Sequence, residues 1–334
     1  MSLEGLFLVL CGVCAMAGHS IIQRWAQRDA VPILGKRQIL LAQHGLSALF
    51  LLTVCVLSGL DLTAVQPAIF WIGVAGTTLF NIGIQYANVE SLRLGEASLV
   101  KPIQALTPGL VVFAAMVLGE VPSPQGMVGI VLISVGVYVH AREDAKTLAE
   151  WLLPLTFLFL PRHYGLMGET ERRQVRRKIR ALRWAFLSAC LGTGGLVCDA
   201  LVARHGSVAL GFLIQSVCLT GVFALLVSNN GGHQPLIFPR PKLWRQPIFA
   251  AMVLGGLYFL HILFVMTAFR FGQVAYIGAL KRLSIVLIGL LSWWLLSERR
   301  AKRRLIPISV ITAGAVLLAF DSTIQRFISL LEGQ

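Results

Sequence analysis

Charge is scarce in this chain. Only 13% of its 334 residues are Asp, Glu, Lys or Arg, about half the share of an ordinary soluble domain. Acid is scarcer than base, with 15 Asp and Glu against 29 Lys and Arg, a formal net charge of +14. That excess does not point to nucleic acid, because the basic residues cluster in the connections between apolar runs, where membrane topology signals lie. Also missing are H-E-x-x-H, a Walker loop and a G-x-S-x-G elbow, so ATP-driven transport and hydrolysis have no support, and no enzyme, metal or cofactor is expected. The six cysteines, Cys11, Cys14, Cys55, Cys190, Cys198 and Cys218, all sit inside apolar runs and form no zinc, redox or disulfide framework in an aqueous segment. They read as small packing hydrophobes. The first residues lack the basic n-region of a signal peptide and are expected to be a retained span.

What the chain has is apolar length. It is 56% hydrophobic, with mean hydropathy +0.76. About 20 mostly apolar residues cross a bilayer as a helix. Runs of that kind occupy 4–23, 39–59, 68–88, 95–118, 124–141, 183–203, 208–228, 247–269, 273–296 and 305–321. Lipid cannot satisfy backbone polar groups, so helices are expected. The fold class is an all-α polytopic membrane protein of ten transmembrane helices, multi-pass in the cell (inner) membrane. Expected divisions are 1–141, 142–182, 183–322 and a tail, 323–334.

Basic residues load alternate connections. Arg24, Arg28, Lys36 and Arg37 lie after the first span, Arg240, Lys242 and Arg245 after the seventh, and Arg299, Arg300, Lys302, Arg303 and Arg304 after the ninth. The opposite side carries almost nothing, with Arg204 and Arg270 as exceptions. The positive-inside rule puts the loaded side in the cytoplasm and both termini outside. Residues 169–183 place Val175, Ile179 and Leu182 on one face among arginines, a pattern for an interfacial helix on anionic headgroups or for a solvated basic linker.

The halves repeat. A shift of 180 residues sets His19 on Asp199, Arg24 on Arg204, Gly76 on Gly256, Asn81 on His261 and Lys101 on Lys281. A shift of 178 sets Glu120 on Glu298 and Gly136 on Gly314. Each half has five spans, and an odd number inverts the second half. Inverted five-helix repeats are a transporter signature, with the substrate at the midplane.

Three cations sit in apolar runs: Lys101, Lys281 and Arg282. A charge at the bilayer centre costs at least ~2.5–3.5 kcal/mol, so each needs a reason to be there. Ser98, Lys101, Gln104 and Pro108 share a helical face, and Pro102 and Pro108 withhold backbone donors beside it. Lys281 and Arg282 are adjacent, and Gly278 lies one turn before Arg282. Few buried acids accompany these cations, which favours an anionic substrate. Asp199 and His19 are a symmetry-related pair suited to coupling, to neutralising a cation, or to a structural ion pair. Asn81, His261 and Tyr258, with Gln85 and Gln215, are candidates for the polar lining, and His44 is weaker. Trp293 and Trp294 read as interfacial anchors.

The stretch GEASLVKPIQALTPG from Gly95, closing with LGE from Leu118, resembles the fourth helix of EamA-like proteins of the drug/metabolite transporter superfamily. VAYIGALKRLS from Val274, closing with LSE from Leu296, resembles the ninth. The resemblance implies ten helices in two inverted repeats around a cavity, and export or exchange of small metabolites. Lys101 with Pro108, and the Lys281–Arg282 pair, are also similar to the basic positions of sugar-phosphate translocators, where such cations hold the substrate phosphate. Pro102 and the 142–182 insertion depart from that pattern, and the orientation expected here is opposite to the superfamily's usual one. Three readings follow. The first is a secondary carrier of a small organic anion, phosphorylated ones included. The second is an exporter of amino acids or amphiphilic compounds, with each cation paired to an acid. The third is a lipid-linked flippase or accessory membrane protein. Expected partners are the small-molecule substrate and membrane lipid, with homodimerisation compatible with the sequence.

Overall fold

The computed structural model describes residues 2–27, 36–59, 66–94, 100, 103, 106–141, 168–228, 247–296 and 301–332. All regular structure among them is helical: α1 (Leu3–Gln27), α2 (Lys36–Leu57), α3 (Ala68–Leu94), α4 (Thr107–Val117), α5 (Pro124–Ala141), α6 (Glu169–His205), α7 (Val208–Ser228), α8 (Pro247–Ala268), α9 (Val274–Leu280), α10 (Leu283–Leu296) and α11 (Ala301–Glu332). Among the described residues eight stretches are long and apolar enough to cross a membrane, and Thr107–Val117 and Ile306–Asp321 are shorter apolar helices. Phe113, Val117 and Leu225 are 69–84% exposed. Large apolar side chains turned outward in such number suit lipid as the solvent.

Local chemistry sets the helix ends. Pro108 falls in the first turn of α4, where its missing N–H has no partner to lose. Gly119 ends the same helix with φ +74°. Its N–H donates to Met116 and that of Glu120 to Ala115, a Schellman close that needs the left-handed residue. Ser123 then caps α5, its hydroxyl accepting from the Gly126 N–H at 2.9 Å, with Pro124 at the first helical position.

Two compact units emerge. Unit 1 comprises 1–78, 198–272 and 283–299, and unit 2 comprises 79–197, 273–282 and 300–334. In unit 1, α1 packs on α8 and α10, and α2 on α7 and α8. In unit 2, α5 packs on α11, and α9 on α4, α5 and α11. The α5–α11 crossing is close because glycines face each other. A Cβ on Gly314 would lie 2.6 Å from the Gly129 carbonyl oxygen, and one on Gly129 would lie 2.9 Å from that of Gly314.

Several boundaries differ from the sequence reading. The basic stretch and the sixth span form one 37-residue helix, α6, with no break at 183. At 1.5 Å per residue it is about 55 Å long, more than the ~30 Å hydrocarbon core. Arg173, Arg176, Arg177, Lys178, Arg180 and Arg183 are exposed along it, while Ala181, Leu182 and Ala185 pack against Val100 and Ile103. Arg177 donates to the carbonyls of Leu94 and Arg93, both at 3.1 Å, and so caps the C-terminus of α3. The expected tail is helical to Glu332, because Ile324, Phe327, Ile328 and Leu331 continue the apolar period. Residues 142–167 lie outside the described residues.

Arg204 and Arg270, the exceptions in the charge pattern, have structural work. Arg204 donates to the carbonyls of Phe269 and Gly272, each at 2.9 Å. Arg270 donates to those of Ala203 at 2.6 Å and Gly206 at 2.5 Å. Each guanidinium satisfies orphan carbonyls at the other's helix end, joining α6 to α8 within unit 1.

Candidate functional site

In unit 2 the expected ninth span is not continuous. α9 stops at Leu280, Lys281 and Arg282 form a turn, and α10 starts at Leu283. The Arg282 N–H bonds back three residues, to Ala279, at 2.9 Å, and the Lys281 N–H bonds four back, to Ile277, at 3.0 Å. No proline or glycine occupies the break. Such tightened turns mark functional sites in helices, and discontinuous membrane helices carry transporter binding sites.

The short α9 is fully buried and firmly tied. Glu120 accepts from the Val274 N–H at 2.7 Å and so caps its first turn. Tyr276 donates to Asp321 at 2.9 Å. Ser123 also donates to Asp321, and its own N–H reaches the Tyr276 oxygen at 3.2 Å. Gly126 leaves room for the tyrosine, whose ring and hydroxyl occupy the place a Cβ would take. The open position beside Gly278 is filled by neighbouring helices, with Leu196 and Val111 within 3.3–3.8 Å of a Cβ built there.

At the free end of α9 stands Arg282. Its Nε is buried and has no hydrogen-bond partner, and the guanidinium has no carboxylate partner among the described residues. A half-buried charge left so carries a desolvation cost, and an incoming anion relieves it. Its planar fork suits a carboxylate or phosphate. Lys281 adjoins it and is half-buried, as is Asn81 on α3, also in unit 2. Lys101 and Gln104 lie outside the described residues; Val100 and Ile103, on either side of Lys101, are fully buried.

Unit 1 holds the other expected residues. Asp199 accepts a hydrogen bond from the Thr77 hydroxyl, and Gln215 donates to Thr77 at 3.4 Å. His261 has its Nδ1 at 2.9 Å from the Gly12 carbonyl, a bond that ties α8 to α1. Tyr258 is the hub of a ring cluster, with centroids 5.7 Å from His19, 5.2 Å from His44 and 6.3 Å from His261. Gln43 hydrogen-bonds its hydroxyl. His44, ranked low from sequence, is therefore central. The signal was present in span 2 as Gln43, His44 and Ser47, polar at i, i+1 and i+4 in an apolar run. Asp321 was missed; a lone acid ending an apolar run was its only mark. Among the described residues no three His, Cys, Asp or Glu side chains are grouped to hold a metal.

Comparison with known proteins adds a family. Residues 3–142 match the EamA-like transporter family. The match thus spans the first five expected membrane segments, and with eight helices among the described residues long and apolar enough to cross a membrane the chain is a multi-pass integral membrane protein. A solved crystal structure is similar over 94% of this chain and 96% of its own, with TM-score 0.67 and 16% identity; the likeness is one of fold. No curated protein matches the sequence.

Proposed function

We propose that this EamA-like protein is a secondary transporter of a small organic anion, phosphorylated ones included, in the cell membrane. The supporting observation is Arg282, half-buried at a break in a membrane helix, with its Nε buried and no acidic partner among the described residues. The exporter reading predicts a carboxylate beside each cation, and among the described residues Arg282 has none. Lys281 and Asn81 share its unit, and Lys101 and Gln104 complete the proposed set. Alternating access would rest on ten helices in two inverted repeats. Helix pairing supports that symmetry, since span 5 with 10, 2 with 7 and 4 with 9 are each their own counterparts under a five-span exchange. The exposed arginines of α6 suit anionic headgroups.

The test is uptake of labelled sugar phosphates and dicarboxylates into proteoliposomes. Arg282→Gln should lower uptake at least tenfold at equal reconstitution, and Arg282→Lys should restore part of it. Full uptake by Arg282→Gln, across substrates that the parent protein carries, would overturn the anion reading.

A further inference from the structure

Unit 1 contains two imidazoles that the preceding reading does not use. His19 on α1 and His44 on α2 are each 2% exposed. None of their four ring nitrogens has a hydrogen-bond partner. Both rings face Tyr258 of α8, and Phe223 of α7 stacks on His44 with centroids 5.4 Å apart. Packing alone does not explain the pair. Buried polar atoms are paired in the great majority of cases, and each exception calls for a reason. Two such residues meeting at one tyrosine make a concentrated exception. By contrast His261, in the same cluster, is tied to Gly12.

The chemistry of the pair selects a ligand. A neutral imidazole offers one donor and one acceptor, so the two rings need both kinds of partner from the ligand. Neither imidazole is paired with a carboxylate among the described residues; Asp199, an acid of the same unit, accepts from Thr77 instead. No ion pair or hydrogen bond joins them to a Lys or Arg among the described residues, so no cation there is seen to hold an anion. An uncharged group fits. Hydroxyls donate and accept at once, and the aromatic ring of Tyr258 suits the C–H surface of a ring that carries them. Apolar walls with few convergent polar groups are the usual make-up of a small-molecule site. The geometry points to a binding site for an uncharged polyhydroxylated ligand, a polyol or sugar ring, built from His19, His44 and Tyr258 within unit 1. This site does not depend on the anion reading, because none of its residues is one of the cations.

The full-length protein in detergent, labelled with 15N-histidine, provides the test, with D-glucose and myo-inositol as probes and cyclohexanol as the single-hydroxyl control. The His19 and His44 signals, assigned by His19→Phe and His44→Phe, should shift saturably with a probe and not with cyclohexanol. The same probe should raise the melting temperature. Each Phe variant should melt at or above the parent's temperature, since it removes two unpaired polar atoms, yet lose the probe-induced shift. Arg282→Gln should keep that shift, which separates this site from the anion site. No response of either imidazole to both polyols, or signals that move with pH alone, would overturn the proposal.

Discussion

Units 1 and 2 differ in how fully the partners of their buried polar groups come from the protein. Unit 2 ties its interior: Tyr276, Ser123 and Asp321 form one network, Glu120 caps α9, and glycines bring α5 and α11 into backbone contact. Unit 1 fastens its helix ends through Arg204 and Arg270 and part of its interior through Asp199 and His261, yet leaves His19 and His44 unpaired inside. A segment anchored at one end and charged at the other suits a fixed binding group, and that is α9 with Arg282. Buried groups without protein partners suit a changing partner. The difference teaches that burial alone does not identify function in a membrane protein; which buried groups lack protein partners is more telling.

The strongest way to break this contrast is steric. Gly314→Leu would drive a side chain into the Gly129 carbonyl and the Ile133 backbone. Backbone cannot yield as a flexible side chain does, so a loss of about 3 kcal/mol is expected. Denaturant unfolding in mixed micelles would measure it. Near-parent stability would show that the close crossing does not organise unit 2. Asp321→Ala comes next. It leaves the Tyr276 and Ser123 hydroxyls without their acceptor, for a loss of about 2 kcal/mol. Tyr276→Phe should cost less, and a double-mutant cycle should show that the two substitutions do not add. Additivity would mean that the hydroxyl and the carboxylate act apart.

The helices were legible in the sequence because the signal is local. Apolar run length places α1, α2, α3, α5, α7 and α8 within a few residues, and LGE at Leu118 holds a complete C-cap. The break at Lys281–Arg282 was not legible as a break, since no proline announces it and both flanks are apolar helix formers. The cations themselves were legible, because a charge in an apolar run needs a reason. His44 was undervalued because its significance depends on Tyr258 and Phe223, more than 170 residues away in sequence. The join between the basic segment and α6 was misplaced for a plainer reason. Hydropathy changes at 183, but helix propensity does not: residues 169–191 contain no glycine or proline.

Arg204 and Arg270 provide the finest test of the comparison. From charge alone they are anomalies on the side expected to be outside; in the structure they serve as reciprocal caps. Lysine keeps the charge and loses the planar fork that spans two carbonyls. If the caps are what matters, Arg204→Lys and Arg270→Lys should each destabilise unit 1 by about 1 kcal/mol. Membrane orientation should stay unchanged, as read by cysteine labelling at an engineered terminus. The two losses should couple, because freeing either helix end loosens the carbonyls the other arginine holds. If charge is what matters, lysine should be silent and Arg204→Gln should shift orientation. The arginine pair would then belong with the topology signals, and unit 1 would lack the reciprocal fastening of α6 to α8.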